Sequence, residues 1–317
     1  MRILLTGGAG FIGSNLAKQL LKDKRVSAVR ILDNLATGSI KNISDLISDS
    51  KFEFIEGDIR NYNTCLEATS NIDLISHQAA LGSVPRSIID PLTTNEVNIT
   101  GTLNIFTAAK ERKIKRVVYA ASSSTYGDHP GLPKTEDKTG NPLSPYAVTK
   151  YVNELYARVY AKLYGIEFIG LRYFNIFGPK QDPHGPYAAV IPLFAEALLN
   201  NKPPTIHGDG SHSRDFTYVD NAVEANLLSL FTTNPEAVNE VYNIACGHQI
   251  SLLQLFEGLK KEAGCSLQPV HGPERTGDVK YSMADITKAK NLLGYSVKVP
   301  VEEGLRMTFE WYKTHHK

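Results

Sequence analysis

Cysteine is scarce: three residues in 317, Cys65, Cys246 and Cys265, far apart and with no C-x-x-C pair. That excludes a disulfide framework and a zinc knuckle and leaves ordinary reduced thiols. The histidines show no H-E-x-x-H or comparable ligand spacing, so no metal site is expected. No apolar run is long enough to span a bilayer, and Met1-Arg2-Ile3-Leu4-Leu5 reaches glycine without a signal-peptide core. The expectation is a cytoplasmic chain with no membrane partner. An excess of one charge is also lacking. Lys plus Arg number 34 against 33 Asp plus Glu, which gives nucleic acid no general electrostatic footing. A local cluster could still hold a small phosphate-bearing molecule.

What is present is alternation. Strands are expected at Arg2–Leu5, Val29–Leu32, Phe52–Glu56, Leu74–Ser76, Arg116–Ala120 and Glu167–Leu171. Helices are expected between them, at Gly10–Leu21, Ile40–Ile47, Tyr62–Thr69, Asn95–Arg112 and Pro145–Tyr164. Such βαβ repetition implies an α/β fold with a doubly wound parallel sheet. After Phe177 comes a turn-rich stretch, Gly178–Pro186. Beyond it, helices near Ile191–Asn200, Asn221–Thr232, Leu252–Ala263 and Val301–Lys313 mix with brief strands at Thr205–His207, Asp215–Thr217 and Val241–Ile244. Residues 1–177 are expected to form the first domain. Residues 178–317 would form a smaller α/β region interleaved with it.

Thr6-Gly7-Gly8-Ala9-Gly10-Phe11-Ile12-Gly13 follows the first expected strand and opens the first helix. One glycine turns the chain tightly, one lets backbone approach a pyrophosphate, and one lets the helix pack close to the sheet. The helix N-terminus adds unpaired N–H groups and a partial positive charge. Twenty residues after Gly13, Asp33 ends the second strand. A carboxylate there accepts hydrogen bonds from the adenosine ribose and repels a 2′-phosphate, which favours NAD over NADP. Gly57-Asp58-Ile59 suits a loop under the adenine.

Ser144-Pro145-Tyr146-Ala147-Val148-Thr149-Lys150 reads as a capped helix start with Tyr146 and Lys150 on one face. A tyrosine with a pKa of about 10 is a poor base at neutral pH. A neighbouring ammonium and a positively charged nicotinamide both favour the phenolate, so the pair suits proton transfer. Ser122-Ser123-Ser124-Thr125-Tyr126-Gly127 follows the fifth strand, and hydroxyls at a strand's carboxyl end sit where an open α/β sheet binds its ligand.

These motifs, in this order, resemble the extended short-chain dehydrogenase/reductase family along essentially the whole chain. Arg172-Tyr173-Phe174-Asn175 with Gly178-Pro179, Arg214-Asp215-Phe216, and Arg275-Thr276-Gly277-Asp278 narrow the likeness to nucleotide-sugar epimerases. His77–Ser87, Ser122–Pro130 and Tyr187–Pro192 are similar to the bacterial UDP-N-acetylglucosamine 4-epimerase subgroup. The resemblance implies a dinucleotide site of Gly7, Gly10, Phe11, Ile12, Gly13, Asp33, Asn34, Thr37, Gly38, Asp58, Ile59, Gln78, Ala79, Ala80, Tyr146, Lys150 and Tyr173. It implies a UDP-sugar site of Gly82, Ser83, Ser123, Ser124, Tyr146, Asn175, Gln181, Ala189, Val190, Thr205, His207, Arg214, Arg275, Asp278 and Ser282. Ser282 would stand where related epimerases place a gatekeeper beside the sugar's 2-substituent.

In that family one more residue often separates the serine from the Tyr-Gly pair. The shorter loop here leaves Ser122, four residues before Tyr126, or Ser123 as the hydroxyl that works with Tyr146 and Lys150. The implied reaction is C4 epimerisation of UDP-N-acetylglucosamine. UDP-glucose, UDP-glucuronate and a non-catalytic nucleotide binder are the alternatives. The implied assembly is a homodimer through a bundle of Asn95–Arg112 and Pro145–Tyr164.

Overall fold

Alternation along the first strand decides the layering. In β1 (Arg2–Thr6), Ile3 and Leu5 point into one buried cluster and Leu4 into another. A strand buried on both faces needs helices on both sides, as βαβ crossovers supply. The chain continues through α1 (Phe11–Lys22), β2 (Ala28–Asp33), β3 (Phe52–Glu56), α2 (Tyr62–Ala68) and β4 (Leu74–His77). Then come α3 (Val84–Ile89), α4 (Pro91–Asn95), α5 (Thr102–Glu111), β5 (Arg116–Ser122), α6 (Pro145–Tyr164) and β6 (Glu167–Tyr173). The second half holds β7 (Ile176–Phe177), α7 (Val190–Leu199), β8 (Thr205–His207), β9 (Ser213–Arg214), β10 (Thr217–Tyr218) and α8 (Val219–Phe231). It ends with β11 (Glu240–Ile244), β12 (Ile250–Ser251), α9 (Leu252–Ala263), β13 (Val270–Gly272), α10 (Thr287–Leu293) and α11 (Val301–His315). The computed structural model describes residues 1–184, 188–274 and 281–315.

Seven strands make one parallel sheet in the order β11-β6-β5-β4-β1-β2-β3, the doubly wound architecture that the alternation predicts. Winding runs outward from β1 to β3, then restarts at β4 on the other side. A crevice opens at that reversal, beyond the strands' carboxyl ends. The ends of β1, β2, β4, β5 and β6 therefore bring Gly7, Asp33, Gln78, Ser122 and Tyr173 to one edge. β11, from residues 240–244, pairs with β6 and completes the sheet from the second half of the chain. No helix among the described residues is long and apolar enough to cross a membrane.

Three local expectations are corrected. Ile40–Ile47 is not a helix: a 3₁₀ turn covers only Ile40–Asn42, and turns follow. The Asn42 side chain donates to the Ala9 carbonyl, and Ser39 accepts from the Lys41 N–H, so local side-chain bonds outcompete the helix. Asn95–Arg112 is not one regular helix, because residues Glu96–Gly101 form a π-helical segment before α5. Asp215–Thr217 is not one strand; Asp215 separates β9 from β10, and its carboxylate accepts N–H groups from Cys246, Gly247 and Ala284.

Candidate active site

A cavity of about 1080 Å³ runs along the crevice. At its dinucleotide end Gly7 adopts φ +69, and a Cβ on Gly13 would lie 2.1 Å from the Gly7 carbonyl oxygen. Only glycine fits that crossing, so the strand-to-helix turn stays tight and backbone lies bare. Gly10 precedes α1 with no side-chain cap, and the first turn carries no acid, which leaves its N–H groups for a pyrophosphate. Asp33 is held by the Ala9 and Leu35 N–H groups, each at 2.9 Å. Beside it, Asn34 donates to Asp58 at 2.8 Å; Arg60 above all holds the Asp58 carboxyl down, to about 2. A glycine cradle, an open helix N-terminus and a fixed carboxylate fit NAD.

Further along, Ser144 caps α6 by accepting the Ala147 N–H at 3.1 Å, and Pro145 starts the first turn. This cap aims Tyr146 into the cavity. Lys150, one turn on, is buried and donates to the Ala120 carbonyl at 2.8 Å; burial pushes it down to about 8. Its ammonium lies 5.9 Å from the Tyr146 ring centroid. Ser122 shares the cavity wall with Tyr146, and the Ser124 hydroxyl donates to Ser122 at 2.9 Å. The Tyr146 pKa is raised, not lowered as the Tyr–Lys spacing suggests, because burial outweighs the opposing influence of Ser122.

The cavity wall brings together every expected dinucleotide residue except Gly38, which packs against Ala9. Ser122, Ser123, Ser124, Gly82, Asn175, Arg214 and Ser282 share that wall. Ser83, Gln181, Ala189, Val190, Thr205 and His207 do not. Ser83 instead caps α3, and Thr205 and His207 belong to β8, paired with β13. Arg275 and Asp278 lie outside the described residues, as does Tyr187. Arg172, in a segment expected to hold the diphosphate-sugar, is buried against Glu154 instead.

A family model described as the NAD dependent epimerase/dehydratase family matches residues 3–245. The chain belongs to that family. Its cofactor is NAD. Among its relatives, a protein named putative UDP-glucose 4-epimerase from Methanocaldococcus jannaschii is 38% identical over 317 residues, covering 99% of each chain. A solved UDP-N-acetylglucosamine 4-epimerase from Methanobrevibacter ruminantium, in complex with UDP-N-acetylmuramic acid, superposes with a TM-score of 0.93 at 37% identity, over 99% of this chain and 98% of that one. A UDP-glucuronic acid 4-epimerase from Bacillus cereus, with UDP-glucuronic acid and NAD, gives 0.92 at 35% identity, covering 100% of both.

Sequence reasoning missed several residues that shape this epimerase/dehydratase-family site. Asn98, in the π-helical segment, accepts the Leu81 N–H at 2.8 Å and donates to the Leu81 carbonyl at 3.2 Å and to Thr149 at 3.1 Å. It thereby ties the wall after β4 to α6. His77 bridges Thr6 and Thr102 at 2.7 and 2.9 Å, with burial pushing it down to about 3, so it stays neutral. Asn226 donates to the Tyr173 hydroxyl and accepts from Gln78, fixing two wall residues. The available signal was polar residues, Asn98 and Thr102, on a helix's buried face.

Proposed function

We propose that the protein interconverts UDP-N-acetylglucosamine and UDP-N-acetylgalactosamine by inverting C4. The observation that carries the N-acetylated substrate is the small-residue wall: Ser282 and Gly82 border one cavity, and nothing lies within 4 Å of a Cβ built on Gly82. An acetamido group needs such room. Tyr146 takes the C4 hydroxyl proton, directly or through Ser122, and later returns it. Bound NAD supplies a hydride acceptor and donor at C4 and a positive ring that favours the phenolate. Lys150, an ammonium at neutral pH, adds positive charge near the phenol and would hold the nicotinamide ribose. Arg214 on the wall is suited to a diphosphate oxygen. The cavity's size leaves the 4-keto sugar space to turn while its UDP stays held.

A second reading, a hexuronate substrate, is favoured by Lys134. It is buried on the cavity wall, donates to the His129 carbonyl and has no carboxylate partner among the described residues. One experiment separates the readings. Purified protein without added cofactor is incubated with UDP-N-acetylglucosamine, UDP-glucose or UDP-glucuronate, and the anomeric protons are followed by NMR. The galacto epimer should form fastest from the N-acetylated sugar. A faster glucuronate reaction transfers the assignment to the second reading, and no reaction with any sugar even after NAD addition sinks both.

The partner we propose, beyond the UDP-sugar, is a second copy of the chain. Val148, Leu155, Val159 and Leu163 are exposed along α6, beside exposed Ile89 and Leu92 on α3 and α4. Exposed apolar side chains on helices packed side by side suit a face that a partner covers. On the Asn95–Arg112 segment, Ile105 and Phe106 are buried in the protomer's own core, so the segment's other face, with the exposed residues of α3 and α4, is what would pair with α6 in the bundle. Light scattering should give about twice the 34.9 kDa chain mass, and Leu92→Glu with Leu163→Glu should halve it. A parental species of single-chain mass would end the dimer proposal.

A further inference from the structure

Among the described residues, the largest fully buried side chain is a charged one, Arg172. It forms a two-pronged ion pair with Glu154, Nε to Oε1 at 2.9 Å and NH2 to Oε2 at 2.8 Å, with side-chain exposures of 1% and 0%. Its remaining nitrogen donates to the Glu136 carbonyl at 3.1 Å, and its guanidinium carbon sits 4.7 Å from the centroid of the Tyr126 ring. Burying two charges gives little net stability, because desolvation cancels much of the attraction; an apolar pair of similar volume does as well or better. The pair therefore calls for a role other than stability.

Its connections supply one. Glu154 lies on α6 at the four-residue spacing that also carries Tyr146 and Lys150. Tyr126 closes the serine loop, and its hydroxyl donates to Asn243 Oδ1 at 2.6 Å. Asn243, on β11, is fully buried and uses its other groups as well. Its N–H donates to Glu136 Oε1 at 2.8 Å, and its amide donates to the carbonyls of Lys134 at 2.9 Å and Asp285 at 3.0 Å. Lys134 in turn exchanges backbone hydrogen bonds with Met283 and Asp285, the residues that flank the wall segment after Ser282. A continuous buried polar chain thus runs from the helix bearing Tyr146, through the serine loop, to the segment bearing Ser282.

We propose that Arg172, Glu154, Tyr126 and Asn243 are positioning residues that hold the Tyr146 helix, the serine loop and the Ser282 wall in one fixed register. Arg172, Glu154 and Asn243 do not line the cavity, and Tyr126, which does, turns its hydroxyl to Asn243. The inference rests on the assignment of the chemistry to Tyr146. Misplacement of a reacting group by about 1 Å is enough to slow the chemical step substantially. The Arg172–Glu154 half of the chain should therefore act on kcat, and the Tyr126–Asn243 half on the fit of the sugar.

The decisive variant replaces the pair together, Glu154→Leu with Arg172→Met, so that no lone charge is left buried. It should melt within about 5 °C of the parent, retain NAD, and lose about tenfold or more in kcat with KM within about threefold. Tyr126→Phe keeps the ring against Arg172 but cuts the link to Asn243. It should raise KM for UDP-N-acetylglucosamine about fivefold with kcat within about twofold. A folded double variant with parental kcat, or Tyr126→Phe with parental KM, overturns the corresponding half. Should the double variant fail to fold, parental KM and kcat in Tyr126→Phe overturn the inference outright. Tyr146→Phe, assayed alongside, keeps the two readings apart. Turnover surviving in that variant refutes the site assignment, whereas a dead Tyr146→Phe beside a fully active double variant refutes only the positioning role.

Discussion

Tyr146→Phe should lower kcat by about a thousandfold or more while leaving bound NAD and KM within about twofold, a loss of ~4 kcal/mol in transition-state stabilisation. The Ser144 cap sets the start of α6, and the phenol enters the cavity on the wall that Ser122 shares. Phenylalanine keeps the ring, so packing and the dinucleotide cradle are undisturbed, and only the proton-carrying oxygen is lost. The wall hydroxyls that remain include Ser122, Ser123 and Ser124, aliphatic alcohols that give up a proton far less readily than a phenol. Burial holds the Tyr146 proton on in the structure, so proton removal needs positive charge brought beside the phenol. Lys150 alone, 5.9 Å from the ring centroid and engaged with the Ala120 carbonyl, does not overcome the burial. Progress curves by NMR, with dinucleotide content measured on the same sample, check the prediction. Turnover within tenfold of the parent would show that another group carries the proton.

What the sequence disclosed and what it hid divide along a physical line. The glycine loop, Asp33 and the Tyr146–Lys150 spacing are local requirements, set by a turn, a strand end and a helix period, and each can be read without knowing a neighbour. Pro145–Tyr164 could be read to the residue because Ser144 caps one end and Gly165 closes the other in the left-handed conformation. Ile40–Ile47 could not, because its fate depends on Asn42 reaching Ala9, a contact across the fold. The same holds for Asp215, whose carboxylate gathers three N–H groups from the 246–247 turn and residue 284. The buried charge of Arg172 was legible only as an arginine, and arginine near a diphosphate site suggests a ligand contact. Its partner Glu154, 18 residues away, decides otherwise. The sugar end was the least legible part, since Thr205, His207, Gln181, Ala189 and Val190 stand off the cavity wall while Lys134 and Tyr126 stand on it.

Ser282→Tyr should cut kcat/KM for UDP-N-acetylglucosamine by about a hundredfold and leave UDP-glucose within about threefold, a discrimination of ~2.7 kcal/mol. Ser282 borders the cavity on a segment fixed from two sides, by its own N–H to the Ser213 carbonyl at 3.2 Å and by the Ala284 N–H to Asp215. A wall pinned in this way cannot retreat to admit a phenol ring, so the added volume must go into the cavity. A sugar with a hydroxyl at C2 needs less of that space than one with an acetamido group, and the penalty therefore falls on the larger substrate. The Asp215 carboxyl is raised to about 6 by burial. Its protonation below that pH weakens the acceptor for three N–H groups, so the discrimination is best measured near pH 8, where the carboxylate is complete. Both substrates losing activity equally would mean that Ser282 supports the wall without facing the 2-substituent. Neither losing activity would place the N-acetyl pocket elsewhere and remove the main reason for preferring the N-acetylated sugar.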